Sequence, residues 1–181
     1  MYIALRLFAV FFALILCIFL FKVRKKAVLF LVLAAVLALS SLPFENLFLS
    51  FDKPEKLFNY YKNGQIVGIV QGEESCMVYY LEKQNVYSRV IFRKKDGLYK
   101  FTLKSEISTV YHSFDEKGSF KVYNVKGTDD YYLFAACFSD DVIIKAEGKN
   151  DMYTDFRQVE ETCMFYGYIN RFDESCYISI E

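Results

Sequence analysis

Two apolar runs at the start of the chain, Leu7 to Phe21 and Ala27 to Leu42, flank one short basic knot, Lys22-Val23-Arg24-Lys25-Lys26. No small water-soluble domain can hide two such runs side by side. The pattern predicts a transmembrane helical hairpin over residues 1–43, with spans at about 3–21 and 27–43. Arg6 is the single charge of the first run and lies close enough to its start to snorkel toward headgroups. About 18 residues rising 1.5 Å each give roughly 27 Å, enough for the hydrocarbon core. The second run, about 16 residues, is slightly short unless Pro43-Phe44 extend it.

The residues at the end of each run test other readings of this region. A cleaved signal peptide ends in small residues, whereas the first run ends in a stop-transfer pattern. Leu14-Ile15-Leu16 before Cys17 are bulky where a lipoprotein site needs small side chains, which excludes lipidation there. Ala38-Leu39-Ser40 does have a small-x-small pattern, so cleavage after Ser40 stands as an alternative to an uncut second span. The uncut span is preferred because apolar character resumes beyond it. Phe44, Leu47, Phe48 and Phe51 recur at i, i+3, i+4 and i+7, one face of a short helix. That face either lies in the membrane interface or docks on the core of the domain after it.

Orientation is set by the knot. Lys22, Arg24, Lys25 and Lys26 resist translocation and should stay in the cytoplasm, which places both termini and residues 44–181 outside the cell membrane. The chain's formal charge is zero, yet all 22 acidic residues lie at or after Glu45. The part after Pro43 therefore carries 17 basic against 22 acidic residues, a net charge near −5 that disfavours nucleic acid as a partner.

From Asp52 the chain predicts one short leading helix. Pro54 suits its first turn, Asp52 or Lys53 its cap and Glu55 its dipole, and Gly64 ends it; Leu57, Phe58 and Tyr61 form its apolar face. Beyond Gly64 the period changes to two. Short runs at 66–70, 76–81, 86–93, 98–103, 107–114, 119–125, 131–138, 142–146, 153–159, 163–169 and 176–180 alternate with turn signals such as Gly72-Glu73-Glu74-Ser75 and Lys95-Asp96-Gly97. Such spacing predicts a mainly-β antiparallel sandwich or open barrel over residues 44–181, or two small β-subunits dividing near Gly127.

The succession Asp52-Lys53-Pro54-Glu55…Phe58, Cys76-Met77-Val78-Tyr79-Tyr80 and Lys95-Asp96-Gly97-Leu98-Tyr99-Lys100 resembles a pattern in small membrane-anchored extracytoplasmic proteins of low-GC Gram-positive bacteria. Val110-Tyr111-His112-Ser113-Phe114-Asp115 and Tyr123-Asn124-Val125 are similar to the same group. The resemblance covers residues 52 to about 134 and its motifs are structural. It implies location and architecture and brings no established activity.

Chemistry-bearing residues are sparse. His112 is the one histidine, in an expected strand; an ordinary strand-face position is preferred over general base or metal ligand. The cysteines lack CxxC spacing and no second histidine completes a zinc set, so no cofactor or metal is expected. Acidic pairs Glu73-Glu74, Asp129-Asp130, Asp140-Asp141 and Glu160-Glu161 fall in expected turns without the spacing of an EF-hand loop. Cys76, Cys137, Cys163 and Cys176 lie on the expected oxidising side, where two disulfides have three connectivities and four buried thiols are the alternative; if a bridge forms, Cys163 with Cys176 is the expected pair. Tyr79-Tyr80, Tyr131-Tyr132 and Phe165-Tyr166-Gly167-Tyr168 put aromatics on both faces of strands, so some must face water unless both faces are covered.

These features predict a non-enzymatic, membrane-anchored extracytoplasmic binding domain, an accessory, sensor or immunity-type subunit. Its expected partner is another membrane or cell-surface protein. The alternative is an extracytoplasmic hydrolase or metal-dependent enzyme using His112 and nearby carboxylates. A third reading makes the hairpin itself the working part.

Overall fold

The computed structural model describes residues 43–114, 116–138, 144–148, 153–159, 162–173 and 175–180, with isolated positions between 8 and 35. The knot of Lys22, Arg24, Lys25 and Lys26, and most of both expected spans, lie outside the described residues. Among the described residues no helix is long and apolar enough to cross a membrane. The positions described before Pro43 are helical, and Phe8, Phe11, Phe12, Ile15 and Phe30 among them are exposed.

The chain after Pro43 is mainly β, with eleven antiparallel strands among the described residues where the alternation places them. Helix α1 (Pro54–Tyr61) starts with Pro54 in its first turn, where a missing N–H costs nothing. It buries Leu57 and Phe58 completely. Strands β1 (Gln65–Gln71), β2 (Ser75–Lys83), β3 (Val86–Lys95) and β4 (Leu98–Phe101) form one sheet in sequence order. The β3–β4 turn is made by Asp96 and Gly97, both at positive φ (52° and 76°), the backbone a two-residue hairpin of native twist requires.

A second sheet has the order β5-β6-β7-β10-β9, from β5 (Ile107–Phe114), β6 (Gly118–Val125), β7 (Asp130–Cys137), β9 (Thr154–Gln158) and β10 (Met164–Asn170). Strands β8 (Ile144–Glu147) and β11 (Tyr177–Ile180) pair separately as a two-stranded ribbon. The chain passes from the first sheet to the second at Thr102–Glu106. Gly127 lies in the turn joining β6 to β7, which pair with each other within the second sheet.

The two larger sheets pack face to face. Val70, Met77, Tyr79 and Ile91 of the first meet Tyr123, Val125, Tyr132, Tyr166 and Tyr168 of the second. The outer face of the first sheet is covered by α1, through Leu57 and Phe58 on Val78, Tyr80 and Phe92. The outer face of the second is covered by the ribbon, through Ile144 and Ile178 on Phe120, Leu133 and Phe165. The molecule thus has four layers, and each central sheet is buried on both sides. That resolves the aromatic doublets: Tyr79 enters the space between the sheets and Tyr80 lies under α1. Likewise Tyr132 points between the sheets, while Tyr131 packs on Phe172 on the ribbon side.

The segment expected as a short apolar helix is instead a single 3-10 turn, Phe44–Leu47, with extended chain after it. Its backbone has a better partner in the free edge of β4. The Asn46 amide donates to the Phe101 carbonyl and accepts from the Phe101 N–H, both at 2.9 Å, and the Tyr99 N–H donates to Phe51 O at 2.7 Å. These bonds cap an edge that would otherwise be left bare. They also divide the expected face: Phe51 packs into the cluster beneath α1, while Leu47 and Phe48 are exposed.

Candidate functional site

Strand β4 is short and pairs with β3 only from Phe92 to Lys95, so among the described residues the rest of β3 has no neighbour on that side. The connection over residues 102–105 arches away toward β5 and leaves a cleft of about 870 Å³ along the open edge of β3. Its walls come from β3, the end of β4, the start of β5 and Tyr123 of β6, and Pro43 lines it too. The cleft therefore opens where the domain joins its apolar N-terminal segment. Lys62, Arg89 and Lys104 line it against one carboxylate, Glu82.

Arg89 is the organised centre of this cleft. The alternation of β3 points it inward with Tyr87 and Ile91, opposite Tyr79 in the register. Its guanidinium lies over the Tyr123 ring at 4.0 Å and over the Phe134 ring at 4.9 Å, and it donates to the Tyr123 hydroxyl. Aromatic faces hold a cation by their quadrupole without neutralising it. Among the described residues no carboxylate pairs with Arg89. Tyr123 is 5% exposed, and burial pushes its phenol up against the lowering pull of Arg89. It therefore keeps its proton at neutral pH and can donate while accepting from Arg89. Thr102 lines the same cleft, and its hydroxyl, shielded from solvent, has no partner among the described residues. Chemically the cleft offers hydrogen-bond donors around the Arg89 charge, with Lys62 and Lys104 adding to it, a setting for an anion.

A second polar constellation is structural. Asp130, the first residue of β7, is 1% exposed and accepts four hydrogen bonds. Two come from the backbone N–H groups of Glu73 and Glu74, one from Ser75 Oγ and one from the Tyr168 hydroxyl, at 2.6 to 2.9 Å. Since Ser75 spends its proton on Asp130, its oxygen accepts from Tyr132 at 2.8 Å. A Cβ on Gly72 would come within 2.5 Å of the Asp130 carboxylate, so the β1–β2 turn approaches as closely as only glycine permits. The Asp130 carboxylate clasps that turn of one sheet to β7 and β10 of the other.

The other residues singled out in the sequence do not gather. His112 is exposed on edge strand β5, opposite Lys121 in the register. Glu73, Glu74 and Asp129 stay at exposed turns, while Asp130 turns inward. Asp140-Asp141 and Glu160-Glu161 lie outside the described residues. No three His, Cys, Asp or Glu among the described residues are close enough to hold a metal ion. Cys76, Cys137, Cys163 and Cys176 are present as thiols. The expected bridge between Cys163 and Cys176 is not formed. Cys163 lies instead beside Cys137, whose N–H donates to its carbonyl at 2.7 Å, and Cys176 Sγ contacts Arg171 O and the Asp173 carboxylate at 3.8 and 3.6 Å.

At the far end of β5, about 17 Å at 3.4 Å per residue beyond Thr109, which lines the cleft, two large aromatics stand in solvent. Phe114 is 71% and Phe138 61% exposed, and their rings meet edge to face at 6.0 Å. The sequence places Asp130 in a charged turn rather than in the interior, and it assigns no role to Arg89 or to this pair. The signal for Arg89 was a charge on the face of β3 that otherwise carries Tyr87 and Ile91. The chain matches no family model, no curated protein and no solved structure.

Proposed function

We propose that the chain is a membrane-anchored binding domain held on the outer side of the cell membrane, without catalytic activity, whose partner is another membrane or cell-surface protein. The observation that carries the anchoring is the exposure of Phe8, Phe11, Phe12, Ile15 and Phe30 in the two apolar runs. Each such side chain in water forgoes about 1.5–3 kcal/mol of burial, a loss that hydrocarbon removes. The basic knot between the runs supplies the orientation. With the cleft beside Pro43, the Phe114–Phe138 pair lies at the pole away from the membrane, where a partner can reach it. His112 stands exposed on an edge strand outside the cleft, which gives a hydrolytic reading no support.

Crosslinking and co-purification from the native membrane test this reading. It predicts a discrete crosslinked partner whose yield falls in the Phe114→Ser/Phe138→Ser double variant. A clean monomer, or a crosslinked species indifferent to that variant, contradicts it.

A further inference from the structure

We infer that the Arg89 cleft binds the anionic phosphodiester headgroup of a membrane phospholipid and so seats the domain on the bilayer surface. This rests on the proposed membrane anchoring and deepens it. The first ground is place. Pro43, where the second apolar run ends, lines the cleft. The headgroup zone is only about 5–8 Å deep on each side of the hydrocarbon core. A cleft one residue from the end of a span therefore opens into that zone.

The second ground is chemistry. A guanidinium presents a planar fork of N–H groups that matches two phosphate oxygens. Arg89 is fixed for this by the Tyr123 and Phe134 rings, with no carboxylate among the described residues to compete. The Tyr123 hydroxyl, at the wall of the cleft, adds a neutral donor. Lys62 and Lys104 add positive field where an anionic surface is strongest. The third ground is the apolar remainder of the lining. Ile91, Leu103 and Ile107 suit a glycerol backbone and the start of its acyl chains, as a free inorganic anion would not need. An acidic peptide laid along the bare edge of β3 is the competing occupant, but it would have to enter from a side the bilayer occupies.

The test uses the full chain in mild detergent micelles, analysed by native mass spectrometry. Dioleoylphosphatidylglycerol, dioleoylphosphatidylcholine, inorganic phosphate and a soluble poly-glutamate peptide are offered in turn. The expected result is retention of phosphatidylglycerol at least about tenfold above phosphatidylcholine, undisturbed by millimolar phosphate. Arg89→Gln should lower it about tenfold and Tyr123→Phe severalfold, with far-UV circular dichroism unchanged. Lys62→Gln/Lys104→Gln, on the rim, should lower it severalfold and keeps the test open if Arg89→Gln does not fold. Equal retention of the two lipids overturns the inference. So do displacement by phosphate, capture of the peptide without lipid, and wild-type retention by the folded variants. Flotation of the full chain with vesicles separates the levels: floating without lipid selectivity fails this inference alone. A chain that does not float fails the anchoring as well.

Discussion

Replacing Asp130 by Asn tests how the two sheets are held together. The substitution keeps the shape of the side chain but exchanges one acceptor oxygen for an NH2 group. If the oxygen stays toward the Glu73 N–H and the Tyr168 hydroxyl, the new NH2 faces the Glu74 N–H and Ser75 Oγ, now donor against donor. Ser75 can turn to accept from the amide and give its proton to Tyr132, which rescues one contact. The Glu74 N–H has no such recourse. Hydrogen bonds to a charged group are worth about 1.5–3 kcal/mol each, and a buried donor without a partner costs about 1–3. One donor left unpaired and two bonds weakened, with the Ser75 contact rescued, give a loss of about 3 kcal/mol. Against a typical domain stability of about 5–15 kcal/mol that is a large fraction. The assay is urea unfolding of the full chain in micelles, monitored by near-ultraviolet circular dichroism of its tyrosines. The midpoint should fall with little change in slope. A loss below about 0.5 kcal/mol, the size of an ordinary surface substitution, would refute the clasp.

Burial holds the phenols of Tyr79, Tyr132 and Tyr168 above their ordinary value of 10.0. Above pH 10 the unfolded chain loses these protons first and binds fewer than the folded one, so stability is intact below pH 10 and falls as pH rises beyond it. Alkaline titration should show phenolate absorbance from these residues appearing together with loss of near-ultraviolet dichroism; smooth ionisation with the fold intact would contradict this. Cys76 is fully buried and its thiol is pushed up to about 12 by desolvation, so native protein should resist alkylation there until it unfolds. Treatment with a thiol oxidant such as diamide should join Cys137 to Cys163, neighbours across β7 and β10, and peptide mapping that finds Cys163 joined to Cys176 would overturn that pairing.

The strands were legible because their evidence is local. Alternation between Gly64 and Glu181, broken by Asp96-Gly97 and similar turns, locates all eleven, and Pro54 with Leu57 and Phe58 locates the helix. What covers a strand is not local. Tyr79-Tyr80 reads the same whether its second face meets water or α1, and nothing near it in sequence decides. The order β7-β10-β9, with β8 and β11 withdrawn into a ribbon, likewise depends on pairing between distant segments. Asp129-Asp130 resembles any charged turn, yet one side chain is exposed and the other lies among the donors of a loop more than fifty residues earlier. Periodicity misled at Phe44–Phe51, because it is blind to backbone groups. The open edge of β4 accepts Asn46 and Phe51 as partners, and a continued helix would forfeit those bonds. The cleft was illegible for a related reason: it exists because β4 is shorter than β3.

Membrane orientation is the claim on which the rest depends, and a reporter pair fused after Glu181 tests it most directly. With the basic knot in the cytoplasm, a reporter active only outside the membrane should be active and one active only in the cytoplasm silent. Replacing Lys22, Arg24, Lys25 and Lys26 together by Gln should erode that difference. Activity of the cytoplasmic reporter alone would contradict the account.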